Sequence, residues 1–194
     1  MKCLWSCLTI LLGFFPLTGH ANQEPPSWHQ HRFRNMVEQK LDMSCGAASL
    51  SALMMFYARV PISEAGLLAL LEKTVNKTEE DSVIKDGFSL LHLKKAVATE
   101  GLELKAANIY NAQLVRFGSP ALLQLKTRQG YHFVLWHGKV KGRHWLGDPS
   151  RGDLWLSDHE LEQEWTGIAA WLFENGKRLP QASKQQLQAA YSSR

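Results

Sequence analysis

Cys45, His132 and Asp148 are residue types that together can make a nucleophile, its base and the base's orienter. Cys45 opens an apolar run predicted to be a helix over 45–58, so its sulfur sits where unpaired backbone N–H groups and the helix dipole favour an anion. A thiol there ionises more readily, and the thiolate is the nucleophilic form. The small residues behind it, Gly46-Ala47-Ala48, either admit a substrate backbone or let the helix pack closely. A thiolate needs a partner that can return a proton to a leaving amine, most often histidine. His29 and His31 fall near a Pro-rich stretch, and His92 and His159 fall on helices with no partner in view. His132 heads the apolar strand Tyr131–His137, and strand alternation puts it on one face and His137 on the other, so at most one of the two can look toward Cys45.

Asp148 precedes Pro149 and closes the next strand, which makes it the candidate to orient the imidazole. A two-residue turn at Lys141-Gly142 would set Asp148 opposite Leu135, on the wrong face. A three-residue loop over Lys139–Lys141, or a bulge with the same effect, would bring it to the face of His132, and such an irregularity is expected.

The elements that must hold these residues come in two runs. Helices are expected over 45–58, 63–75 and 89–100, with Ser44 a plausible N-cap, Ser89 a second, and Gly101 a stop. Residues 76–85 are polar and charged and read as a loop. Strands follow at 102–106, 120–126, 131–139, 143–147, 154–156 and 168–173, with short helices at 111–117 and 157–165. Helices first and strands second is an α+β pattern: an N-terminal helical lobe whose nucleophile helix packs on a C-terminal antiparallel sheet. The expected organisation is a signal segment over 1–21, a linker or N-terminal extension over 22–36, one domain over 37–175 and a polar, loosely held tail over 176–194.

Lys2, the apolar stretch Leu4–Leu17 and the small residues Gly19 and Ala21 have the layout of a cleavable secretory signal ending near Ala21/Asn22. The apolar stretch is short of the ~20 residues a spanning helix needs, so no stable membrane span is expected after cleavage, and the mature chain should be periplasmic or secreted. Of three cysteines, Cys3 and Cys7 leave with the signal and Cys45 remains alone, unable to form an internal disulfide. The net charge of +4 is interleaved with acidic residues, with no arginine-rich stripe of the kind nucleic acids select.

Four stretches in order resemble the bacteriocin-processing, double-glycine-type cysteine peptidases, and among them the stand-alone exported branch: Gln39-Lys40-Leu41-Asp42-Met43-Ser44-Cys45-Gly46-Ala47-Ala48, Gly87-Phe88-Ser89-Leu90-Leu91-His92-Leu93-Lys94, His132-Phe133-Val134-Leu135 and Gly147-Asp148-Pro149. The transporter-fused members carry an acidic residue where Ser44 stands. The resemblance implies a papain-like fold in which Cys45 is the nucleophile, His132 the base, Asp148 its orienter and Gln39 a side-chain donor to the oxyanion hole. It implies hydrolysis through a thioester acyl-enzyme with no metal or organic cofactor. The implied substrate is an exported fibre protein or a leader-bearing polypeptide, with secretion-system components as partners. Two other uses of the same fold stay open: an inactive binding or assembly factor, whose groove six tryptophans (Trp28, Trp136, Trp145, Trp155, Trp165, Trp171) would line, and an acyltransferase.

Overall fold

The structure, a computed structural model, describes residues 27–192 other than 119, so the expected signal segment lies outside the described residues. A short helix, α1 (Trp28–Arg32), is closed by a capping box between Ser27 and Gln30. The extension was expected to be a linker, yet its end is tied down: Met36 is buried, and Asn35 Nδ2 donates to Asp153 Oδ2 at 2.7 Å. Next comes α2 (Cys45–Leu53), apolar all round, with every residue buried. It runs on into a π-helical turn over Met54–Ala58 that stops at left-handed Arg59. Helix α3 (Glu64–Glu72) is capped by Ser63 and α5 (Leu90–Ala98) by Ser89. Between them the expected loop contains α4 (Glu80–Asp86), which buries Val83 and carries Glu80 and Asp81 in its first turn, where the dipole favours them.

The second half is one antiparallel sheet. Its strands are β1 (Leu102–Asn108), β2 (Ala121–Thr127), β3 (Gly130–Val140), β4 (Arg143–Asp148), β5 (Gly152–Leu156), β6 (Trp165–Glu174) and the two-residue β7 (Lys177–Arg178). They lie in the order β1-β6-β2-β3-β4-β5, with β7 on β6. Two helices interrupt them, α6 (Asn111–Phe117) and α7 (Asp158–Glu164), the latter capped by Ser157 as its spacing to Glu160 requires.

Alternation along the strands divides the core. Leu122, Phe133, Leu135 and Leu172 join Leu50, Leu53, Leu67 and Leu93 of α2, α3 and α5 in one cluster. Leu123, Leu125, Val134, Trp136 and Leu146 join Leu114 of α6 and Leu161 of α7 in the other. Helix α2 lies directly on β3, where Ser49 Oγ donates to the Phe133 carbonyl at 2.9 Å. The tail, expected to be loosely held, instead buries Leu179 and forms α8 (Lys184–Ser192), whose Tyr191 meets Trp155 edge-on at 5.2 Å.

Candidate active site

The hairpin of β3 and β4 decides where Asp148 points. Val140 pairs with Arg143, so the turn is the two-residue Lys141-Gly142, both at positive φ, and the three-residue loop is absent. The irregularity is a bulge instead. Trp136 pairs with Leu146 but Gly138 pairs with Trp145, which leaves His137 without a partner and moves Leu135 opposite Gly147. That one-residue shift flips Asp148 onto the face of His132. His137 turns the other way, with Nδ1 2.7 Å from Tyr57 Oη and its ring stacked on Trp145 at 4.1 Å.

The result is a contact of 3.0 Å between His132 Nε2 and Asp148 Oδ1. With Nε2 so engaged, Nδ1 is the ring nitrogen left to interact with Cys45, whose thiol and the His132 imidazole each favour the charged form of the other. Thiol and imidazole meet at the end of the sheet. Cys45 is the first residue of α2, His132 stands near the start of β3, and both line a cleft of about 430 Å³ whose walls come from the 39–45 loop, the end of α4 and the β2–β3 turn. Gly87 forms part of that wall at φ +78°, and a Cβ there would lie 3.0 Å from the Met43 carbonyl oxygen, so a side chain would press on the loop leading to Cys45.

The electrostatics favour the charged form of each of the three groups. Burial pushes the Cys45 thiol up, but the His132 hydrogen bond, backbone bonds at Phe133 and Gly46, and the imidazolium charge together bring it below its ordinary value. Burial likewise opposes a charge on His132, but Asp148 and Cys45 outweigh it and raise the imidazole to about 9. Asp148 is fully buried, which would raise its carboxyl, yet His132 and Arg151 hold it well below the usual carboxylate range. Its Oδ1 also accepts from Ser150 N at 2.8 Å, Ser150 Oγ at 2.8 Å and Arg151 N at 3.0 Å, while Oδ2 takes Arg151 Nε at 2.7 Å. Such a set can hold a thiolate beside an imidazolium whose ring is fixed in orientation.

Gln39 reaches the same cleft. Its backbone N–H bonds the Pro149 carbonyl at 2.9 Å, joining the 39–45 loop to the turn after Asp148, and its Nε2 donates to the Leu41 carbonyl at 3.0 Å. The same Nε2 also donates to the Asp42 carbonyl at 3.4 Å, so both hydrogens of the amide have backbone acceptors and the side chain is held in the wall of the cleft.

Two residues of the site were not singled out in the sequence. Arg151 was readable only as a cation three residues past Asp148. Glu64 looked like an ordinary first-turn acid of α3, but it is buried and accepts from Lys40 N at 2.9 Å and from Ser44 Oγ. Ser44 therefore makes no side-chain cap on α2, contrary to expectation, because its hydroxyl is spent on Leu41 and Glu64. The question left open for Gly46-Ala47-Ala48 is answered by packing: Ala47 and Ala48 are fully buried, and a Cβ on Gly46 would lie 3.3 Å from Leu93.

Residues 34–177 match the Peptidase C39 family. The chain is 31% identical over 160 residues to the "Probable functional amyloid protease FapD" of Pseudomonas aeruginosa, covering 81% of this chain and 69% of that protein. Its fold is similar to the peptidase domain of Streptococcus ComA, a bi-functional ABC transporter involved in quorum sensing, with a TM-score of 0.61 at 21% identity over 73% of this chain and 98% of that one. It is also similar to a double glycine motif protease from an AMS/PCAT transporter in complex with its leader peptide, with a TM-score of 0.51 at 23% identity over 74% and 89% of the two chains. The α+β, papain-like expectation is thus borne out, and the chain belongs to the Peptidase C39 family and is a cysteine peptidase.

Proposed function

We propose that Cys45 attacks the scissile carbonyl, that His132 takes and returns the proton, that Asp148 holds the imidazole, and that Gln39 with the Cys45 backbone N–H stabilises the oxyanion. The bond from carbonyl carbon to Cys45 Sγ forms as the C–N bond breaks. The proton on His132 passes to the departing amine, and water then releases the acyl group from the thioester. The observation that carries this reading is the 3.0 Å contact of a buried carboxylate with an imidazole that lines the same cleft as the Cys45 thiol. An inert scaffold would leave a lone thiol near its ordinary value, and none of the six tryptophans lines this cleft. The substrate is an exported polypeptide: the relative from Pseudomonas is named for a functional amyloid, and the transporter protease binds a leader peptide. The signal-like layout of residues 1–21 supports cleavage outside the cytoplasm, periplasmic or secreted.

The test compares exported proteins from cells carrying the wild-type chain with those from cells carrying Cys45→Ala, by mass spectrometry of intact polypeptides. One polypeptide should persist unprocessed in the variant. Processing at the wild-type rate by Cys45→Ala would refute the assignment, and a product joined to an amine acceptor instead of water would redirect it to acyl transfer.

A further inference from the structure

His132 separates two cavities of opposite character. The first, described above, holds Cys45 and carries Asp42, Lys85 and Asp86, a net single negative charge. The second, about 560 Å³, touches His132 but not Cys45 and carries Lys126, Arg128 and Arg151 against a single carboxylate, Glu164. Arg151 is already engaged, with Nε on Asp148 at 2.7 Å and Nη2 3.5 Å from Glu164. Lys126 and Arg128 make no ion pair among the described residues, so two positive charges there are uncompensated. Lys126 lies just before the turn between β2 and β3 and Arg128 is in it. Thr127 pairs with Gly130 across a two-residue turn, and Thr127 Oγ1 donates to the Gly130 carbonyl at 3.0 Å while accepting from Gln129 N at 3.2 Å.

The chemistry assigns a direction to this asymmetry. The proton from His132 must reach the nitrogen of the departing amine, so the polypeptide beyond the scissile bond leaves across the imidazole. The cavity that meets the imidazole and not the sulfur is where that segment lies. We propose that Lys126 and Arg128 make this groove selective for polypeptides with acidic side chains in the first few residues after the cut. The inference rests on the Cys45–His132 reading and adds a substrate preference to it. The turn's own hydrogen bonds fix the backbone from which the two cations project, so only their side chains remain to be ordered on binding.

The test needs no knowledge of the natural cleavage site. Three peptide amides, Ala-Ala-Gly followed by Asp-Glu-Asp, Asn-Gln-Asn or Lys-Arg-Lys, are compared as protectants of Cys45 against iodoacetamide in the wild-type protein. Two exposed ion pairs lead us to expect half-protection by the acidic peptide at about three- to tenfold lower concentration than by the neutral one. The basic peptide should be weakest, and the spread should shrink below about twofold in 1 M salt, where the Debye length is ~3 Å. The double variant Lys126→Glu/Arg128→Glu should invert the order of acidic and basic peptides. Equal protection by all three, no protection by any, or an order unchanged in the double variant overturns the proposal. Failure of the catalytic reading looks different: Cys45 would alkylate at pH 6 no faster in the wild type than in His132→Ala, whatever the peptides do.

Discussion

Replacing Asp148 by Asn keeps the shape of the side chain and removes its charge from a fully buried position. An amide can present its oxygen to Ser150 and Arg151 N–H as Oδ1 does now, but its nitrogen then faces Arg151 Nε, donor against donor. The consequence for His132 follows from its surroundings. Burial alone would lower the imidazole, so its value of about 9 is sustained by Asp148 and Cys45. An opposite charge at this range is worth about one to three pH units, and the His132 titration should fall to between ~6 and ~8 in Asp148→Asn. The Cys45 thiol, held down by that imidazolium, should rise in turn.

The assay is the pH titration of the His132 ring resonance in histidine-labelled protein, with thiolate absorbance at 240 nm read against Cys45→Ala as the blank. The sign for stability is also set. A raised imidazole contributes stability in full below its unfolded value of ~6.5 and loses it as pH rises through about 9, while a depressed carboxyl contributes above ~3.9 and loses it on acidification. Asp148→Asn should therefore flatten both limbs. Loss of charged hydrogen bonds worth about 2–3 kcal/mol should lower Tm by about 5–10 °C in a chain of this size. If the His132 titration stays at about 9 in the Asn variant, the carboxylate is not what sustains it and the orienting role is refuted.

Two further substitutions probe the loop that leads to Cys45. Gln39→Ala should lower kcat by about 10²–10³ while leaving the iodoacetamide reactivity of Cys45 nearly unchanged, because in the proposed mechanism the amide acts on the oxyanion and not on the thiol; equal loss of both would place Gln39 in structural support alone. Glu64→Ala strands Lys40 N without its acceptor, leaves Ser44 Oγ only the Leu41 carbonyl, and should cost about 1–3 kcal/mol in urea unfolding, with Glu64→Gln largely restoring it. If Gln fails to restore it, the charge and not the acceptor is what the loop requires.

What could be read from the chain is what local chemistry dictates. Ser63, Ser89 and Ser157 cap helices by bonding an N–H three residues on, an interaction contained in a four-residue window. The strands showed their period of two, and α2 showed a continuous apolar surface that only a central helix can bury. Helix α4 was hidden by its charge: of its residues only Val83 is buried. Helix α8 has no buried residue at all, and its Tyr191 is met by Trp155 and Lys141, both far away in sequence. Cys45 and His132 stood out because a thiol at a helix start and an imidazole at a strand head are anomalous where they occur. Glu64 and Arg151 occur where acids and bases are ordinary, and only their distant partners make them parts of the site.

The bulge at His137 shows the limit most directly. Alternation alone demanded an odd-residue irregularity between His132 and Asp148, since any regular hairpin on the Lys141-Gly142 turn sends the two side chains to opposite faces. It did not say where. A loop placed at 139–141 and a bulge inside β3 satisfy the same parity, and they differ only in what the displaced residue finds. At 137 the displaced imidazole finds Tyr57 Oη at 2.7 Å and the face of Trp145, partners from the π-helical turn after α2 and from the strand alongside. The same helix whose first residue is Cys45 leads, at its other end, into the hydroxyl that receives His137. The register that turns Asp148 toward His132 is therefore stabilised by the helix that carries Cys45, and imidazole, carboxylate and thiol are positioned together by one packing arrangement between α2 and β3.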